Sequence, residues 1–225
     1  MSNIGFRVYP LRDRPEAELV EQFRGVVTPH ISDNLHRMHS APSELRPFHQ
    51  SGQLLGVAFT VRTRPGDNLL VHKAIDMAEP NDVIVVDAGG DLTNAIAGEI
   101  MMRLAMRKGI AGFVIDGAIR DTAAFASDRF PVYARGITHR GPYKDGPGEI
   151  NVPISLGGMV VHPGDIIVGD EDGIVAVPQG EARNLLVAIR AQQQHEETTL
   201  RAIAEGKVNR DWVDRMLRDK GCELA

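Results

Sequence analysis

Residues 82–121 read DVIVVDAGGDLTNAIAGEIMMRLAMRKGIAGFVIDGAIRD. The stretch opens with a continuous apolar run that ends in Asp87 and two glycines. Such a run suits a strand covered on both faces, although pattern alone leaves a buried helix open. A helix follows to Lys108, with Arg103, Arg107 and Lys108 in its last turn and Gly109 as its stop. GFVIDG at 112–117 then repeats the strand-to-glycine pattern. Consecutive parallel strands tend to be neighbours, so the C-terminal ends of these two should lie side by side.

Working outward, the chain falls into three zones. Residues 1–50 form an N-terminal helical extension. PEAELVEQFRG reads as a short helix closed by Gly25, and TPHISDNLHRM as a second, with Thr28 as cap and Pro29 at the first helical position. SAPSELRPFHQSG is loop-like. Residues 51–178 form the core. QLLGVAFTVRT alternates like a strand, and NLLVHKAIDMA carries Leu69, Leu70, Ala74 and Met77 at helical spacing. FPVYARG, NVPISLGGMVVHPGDIIVGD and GIVAVP read as short strands of an antiparallel or barrel-like portion. Residues 179–225 are helical, with Trp212, Val213, Met216 and Leu217 on one face. That stripe must be buried, in its own domain or in a subunit contact.

The 225 residues include 25 Lys+Arg and 30 Asp+Glu, a formal charge of −5. The length is ample for a buried core. The mildly acidic balance argues against broad nucleic-acid binding. No apolar run approaches the ~20 residues of a membrane span, and the charged N-terminus does not read as an export signal. One cysteine, Cys222, excludes an internal disulfide framework and fits a reducing, cytoplasmic setting.

Chemistry has few places to reside. The join from DAGG into the following helix is a candidate small-anion site, because the first helical amides lack backbone partners. It matches neither the dinucleotide fingerprint nor the phosphate loop. Glu99, by itself, reads as a first-turn acid that complements the helix dipole, or as a carboxylate held beside the anion. Arg120 can clamp a carboxylate with its planar fork. Asp121 is a hard oxygen ligand for Mg²⁺, or a cap for a helix that begins at Thr122. The eight histidines show no metal spacing. His30, His36, His39 and His49 read as surface or satisfied residues, and His139 lies in a Gly-rich loop after a strand. Lys73 and Lys144 are Schiff-base candidates without a clear apolar setting. No G-x-S-x-G elbow is present.

Gly98-Glu99, followed after twenty residues by Arg120-Asp121, resembles the signature of the RraA-like family. Flanking segments from 50 to 180 agree with it, and the terminal helices resemble the longer, aldolase-type members. That family includes class II 4-hydroxy-4-methyl-2-oxoglutarate/4-carboxy-4-hydroxy-2-oxoadipate aldolases, oxaloacetate decarboxylases and regulators of ribonuclease E. The resemblance implies an α/β class with a swivelling β/β/α core, in homotrimers or homohexamers with sites near subunit boundaries. It also implies that Gly98, Glu99, Ile100 and Met101 form a substrate loop, with the amides of Ile100 and Met101 on a pyruvyl carboxylate. Arg120 would hold the keto-acid substrate, Asp121 would ligate Mg²⁺ or Mn²⁺, and Glu99 would hold a metal-bound water. Some members have Asp at the Glu99 position and an acid where this chain has Ala124. In some members a carboxylate from a neighbour's C-terminal helix reaches the site, a part that Glu196 or Glu197 could take here. The expected reaction is cleavage of a 4-hydroxy-2-oxo acid to pyruvate and a second keto acid, with oxaloacetate decarboxylation through the same enolate. The alternative is a protein-binding regulator of ribonuclease E. Retention of Arg120-Asp121 and the long termini favour the enzyme. A methyltransferase activity is disfavoured, because the glycine pattern for a nucleotide-like cofactor is missing.

Overall fold

A computed structural model describes residues 3–224. In chain order the elements begin with β1 (Phe6–Val8), α1 (Ala17–Glu21), α2 (Thr28–Asn34), β2 (Arg46–Pro47) and β3 (Leu54–Thr63). Next come α3 (Leu69–Met77), β4 (Asp82–Asp87), β5 (Ala95–Ala97), α4 (Glu99–Lys108), β6 (Gly112–Ile119) and α5 (Thr122–Asp128). Then follow β7 (Val132–Ile137), β8 (Gly148–Ile150), β9 (Ile154–Leu156), β10 (Met159–Val161), β11 (Ile166–Asp170) and β12 (Gly173–Val177). The chain closes with α6 (Ala182–Ala204) and α7 (Asp211–Asp219). It divides into two compact units, one ending at Leu186 and one beginning at Val187.

The first unit is a mixed α/β fold built on a sheet of order β1-β8-β3-β4-β6-β7-β2. Its centre, β3-β4-β6-β7, is parallel. Alternate residues of the apolar runs explain why they read as continuous. Ile84, Val86, Phe113 and Ile115 enter one core with Val71 and Ile75 of α3, Met102 of α4 and Phe125 of α5. Val83, Val85 and Val114 enter a second core with Leu156, Met159, Val161, Ile174 and Ala176 from the later strands. One face of the sheet is therefore covered by helices and the other by β-hairpins, which is a β/β/α layering. FPVYARG does not belong to the antiparallel portion. As β7 it extends the parallel sheet beside β6, because Val132 and Ala134 complete the helix-side core.

Several local expectations shift. Arg46–Pro47 and Phe6–Val8 add two short edge strands to the N-terminal zone, by pairing with β7 and β8. Thr28 is the first helical residue of α2 rather than its cap. Its N–H and hydroxyl instead donate to the two carboxylate oxygens of Asp170, at 2.7 and 2.6 Å. Helix α3 buries Leu70, Val71, Ala74 and Ile75 and leaves Leu69 at the surface. Helix α4 does end at Gly109, which takes the left-handed conformation at φ +76°. Lys108 donates to the C-terminal carbonyls of α3 at Ile75 and Asp76, which ties the two helix ends together. In the second unit Trp212 is 60% exposed and Met216 is also exposed, so this single chain does not bury that stripe. Among the described residues no helix is long and apolar enough to cross a membrane.

Buried carboxylates brace the strand ends. Asp67 accepts the amides of Leu69, Asp145 and Gly146 at 2.7–2.9 Å and faces Arg64 at 3.3 Å. It thereby joins the start of α3 to the loop before β8. Burial alone would raise its pKa; the three amides and the Arg64 charge outweigh that and hold it below the usual carboxylate range. A depressed native pKa gives stability that is present above the unfolded value, ~3.9, and is lost as pH falls through the native one. Asp67→Asn should accordingly lower the urea midpoint at pH 7 and less so near pH 3, read by fluorescence-detected unfolding across that range. Close packing predicts a second effect. A Cβ on Gly56 would stand 2.2 Å from the carbonyl oxygen of Asn81, a backbone atom that cannot swing aside. Gly56→Ala should cost roughly 1–3 kcal/mol in the same assay, as overpacking does.

Candidate functional site

Strand β5, three residues that look like part of the glycine loop in the sequence, takes over the edge of β6 where β4 ends. Asp87 of β4 faces Asp116, and then Ala95 faces Ala118 and Ala97 faces Ile119. The helix start that matters is therefore reached through β5 and Gly98, not directly from Gly89-Gly90. Beside it, β6 ends at Ile119 and turns through Arg120-Asp121 into α5. The Arg120 amide donates to the carbonyl of Ala97 at 3.0 Å, which locks the two turns together.

Asp121 has a left-handed backbone, φ +57°, at the N-cap position of α5, yet its side chain makes no capping bond there. Its Oδ2 accepts the amide of Glu99, the first residue of α4, at 3.0 Å. The aspartate of one crossover thus caps the helix of the other. Arg120 Nε lies 3.6 Å from the same Oδ2. A Cβ at Gly98 would stand 2.5 Å from Asp121 Oδ2 and 2.9 Å from Arg120 Cγ, so a larger residue there would displace both side chains. With the Glu99 amide taken, helix geometry leaves those of Ile100 and Met101 without an intrahelical acceptor.

A cavity of about 110 Å³ opens at this junction. Gly98, Ile100, Met101 and Arg120 line it, together with the strand residues Ala95–Ala97 and Pro142, Asn68, His72 and Lys144. Arg120 also lines a wider hollow of about 470 Å³, with Asp121, Thr122, Ile137, Thr138 and His139. Gly98, Ile100, Met101, Arg120 and Asp121 are therefore brought together. Glu99 is adjacent but lines neither space. Its Oε1 pairs with Arg103 at 3.2 Å, and Arg103 also reaches Asp128 at 2.7 Å. The Ala124 side chain packs against the helix-side core.

Among the described residues no group of three or more His, Cys, Asp or Glu forms a metal cage. The donor set does suit a hydrated hard cation. Asp121 is half exposed and only its Oδ2 is engaged, so Oδ1 is left for a ligand. One carboxylate with water and substrate oxygens is an ordinary Mg²⁺ environment.

Three polar side chains of the lining, Asn68, His72 and Lys144, are not among the site residues that the resemblance implies. The sequence offers Lys144 only as a Schiff-base candidate and marks neither Asn68 nor His72 as a site residue. Asn68 precedes α3 and His72 follows one turn later, so both side chains share a helix face. Burial, with the Lys144 charge, pushes the His72 pKa down, against a smaller opposing effect of Asp76. Among the other histidines, His49 is satisfied by the backbone, through Nδ1 at Val132 and Nε2 at Gly52. A larger hollow, about 450 Å³, lies by Leu55, Val57 and Asn81. Those residues are at the N-terminal ends of β3 and β4, the edge opposite the crossover turns.

The family profile described as "RraA-like: Aldolase/RraA" matches residues 28–176. A protein of Halalkalibacterium halodurans, named putative 4-hydroxy-4-methyl-2-oxoglutarate aldolase, is 43% identical over 203 residues, covering 90% of this chain and 97% of its own length. A crystal structure of an uncharacterized protein from Pseudomonas syringae pv. tomato superposes with a TM-score of 0.79 at 28% identity, covering 89% of this chain and 95% of that one. A structure titled as the RNA-processing inhibitor RraA of Thermus thermophilus superposes with a TM-score of 0.62 at 34% identity, over 68% of this chain and 93% of that one. With the profile spanning most of the chain and the twin crossover turns in place, this chain belongs to the RraA-like family.

Proposed function

We propose that the chain is a class II pyruvate aldolase, a carbon–carbon lyase that cleaves a 4-hydroxy-2-oxo acid to pyruvate and a second keto acid. The observation that carries this reading is the 3.0 Å bond from the Glu99 amide to Asp121, which sets Arg120 beside the unpaired amides at the start of α4. The names of its relatives point the same way.

In this reading the pyruvyl carboxylate accepts the amides of Ile100 and Met101, at the positive end of α4. Arg120 faces the C2 carbonyl oxygen. Cleavage breaks the C3–C4 bond, and its electron pair becomes the C2–C3 double bond while charge moves onto the C2 oxygen. The guanidinium is already in place to meet that charge, so little reorganisation is needed. The 4-hydroxyl gives its proton to water as C4 becomes a carbonyl, and water returns a proton to C3 to give the pyruvate methyl. Oxaloacetate would lose CO₂ by the same electron movement. Asp121 Oδ1 would hold Mg²⁺ or Mn²⁺, and Glu99 would serve as the outer carboxylate only on leaving its partner Arg103; such a cation supplies Lewis-acid stabilisation of the enolate. The exposed stripe with Trp212 and Met216 would pack in a homotrimer or homohexamer.

A pyruvate-release assay with 4-hydroxy-4-methyl-2-oxoglutarate and Mg²⁺ tests the reading. Arg120→Ala should lower kcat by roughly two to three orders of magnitude, as loss of an oxyanion donor does elsewhere. Asp121→Ala and a chelator should each abolish turnover. Wild-type rates in both variants would refute the proposal. They would favour the rival role as a protein-binding regulator of an RNA-degrading endonuclease, for which neither residue's chemistry is needed.

A further inference from the structure

Arg120 stands between the 110 Å³ cavity and the wider hollow and lines both. Its side chain is long, and 40% of its surface is exposed. Such a side chain keeps one position only where the guanidinium is supported, because it otherwise has many rotamers to choose from. Two supports are present. Asp121 Oδ2 lies 3.6 Å from Nε, close enough for an ion pair but too far for a hydrogen bond. The other support is backbone. A Cβ built on Gly141 would stand 3.3 Å from Arg120 Nη1 and would meet nothing else within 4 Å outside its chain neighbours. The guanidinium therefore rests on the bare face of Gly141, and a side chain there would press on it first.

The bonds of the turn that carries Gly141 set the height of that face. The Thr138 amide donates to the Ile119 carbonyl at 3.0 Å, and the Ala95 amide donates to the Arg140 carbonyl at 2.9 Å. Both are backbone pairs, open to almost any residue type. The Gly141 carbonyl is held in another way: it accepts the side-chain amide of Asn94 at 2.6 Å. The donor end of that amide is fixed by its partner, since a flipped side chain would set oxygen against oxygen. Asn94 lies just ahead of β5, the strand that leads through Gly98 into α4. Gly66, left-handed at φ +74°, leaves room for it; a Cβ on Gly66 would stand 3.2 Å from Asn94 Cβ and 3.3 Å from its Oδ1. Neither Asn94 nor Gly141 lines the cavity or the hollow.

We propose that Asn94 is a positioning residue for Arg120, acting through Gly141. Its amide holds the Gly141 peptide where Nη1 rests, and so sets the direction in which the guanidinium meets the C2 oxygen. The inference rests on the aldolase reading for the identity of that oxygen. A misplacement of ~1 Å can cost about 10²-fold in rate. Loss of one of two supports belongs at the lower end of that scale, and it acts on kcat, because the pyruvyl carboxylate is bound elsewhere, at the start of α4.

Four full-length chains test this with Mg²⁺ and 4-hydroxy-4-methyl-2-oxoglutarate: wild type, Asn94→Ala, Arg120→Ala and the double variant. Asn94→Ala should lower kcat roughly tenfold and leave KM within about twofold. The double variant should be no slower than Arg120→Ala alone, because nothing is left to misplace. The same cycle is read as affinity for oxalate with Mn²⁺, by calorimetry, where Asn94→Ala should weaken binding only if Arg120 is present. That reading carries the comparison where Arg120→Ala turns over too slowly to measure. Gly141→Ala sets a methyl against Nη1 and should repeat the loss; it replaces Asn94→Ala if a thermal melt shows that variant unfolded. Wild-type kcat and oxalate affinity in the folded variant, or an equal loss with and without Arg120, would overturn the positioning role and leave the aldolase reading standing. No pyruvate from the wild-type chain would overturn the aldolase reading, and the oxalate cycle would still decide whether Asn94 positions Arg120.

Discussion

One hydrogen bond holds the candidate site together. The Asp121 carboxylate reaches across from the end of β6 to the first amide of α4, and the turn that aims it requires a left-handed aspartate. Asp and Asn tolerate that conformation better than most side chains, so the position suits the residue type as well as the reach. The same bond explains why Gly98 has no side chain, since the oxygen of Asp121 occupies the space a Cβ would need. It also commits the Glu99 amide, while the next two residues, Ile100 and Met101, line the cavity. The geometry of the two turns and the position of Arg120 thus follow from one contact between two crossovers.

The other acids near the strand ends behave differently. Asp82 takes both guanidinium nitrogens of Arg14 and the Glu79 amide. Asp116 is paired with Arg135 and accepts the Gly157 amide at 3.1 Å. Glu149 is shared between Arg7, Arg62 and the Gly5 amide. These buried carboxylates are consumed by the fold, and removing a partner would leave an uncompensated charge. Asp121 is half exposed and keeps one oxygen unengaged, which makes it the acid at this junction best able to take a ligand.

Much of this was legible in the residues. The runs VIVV and GFVI declare strands buried on both faces, and the glycine at 109 and basic last turn place the end of α4. The meeting of the two turns follows from adjacency of parallel strands. What pattern could not show is equally specific. Strand β5 is three residues long and looks like part of a loop. FPVYARG has the same composition whether it pairs parallel or antiparallel, because only tertiary packing decides its neighbour. Glu99 looks like a cavity residue until Arg103, one helical turn on, draws its carboxylate along the helix. Asn68 stands just before α3 and His72 among its apolar residues. A polar pair on an otherwise apolar face was the available signal, and only the cavity gives it meaning.

The most direct measurement of the central claim is a titration of the protein with Mn²⁺, followed by its paramagnetic resonance signal, with and without oxalate as a planar mimic of the pyruvate enolate. The account predicts one ion per chain, bound more tightly with oxalate present, and loss of both effects in Asp121→Ala. Equal Mn²⁺ binding in the wild type and that variant, indifferent to oxalate, would contradict it.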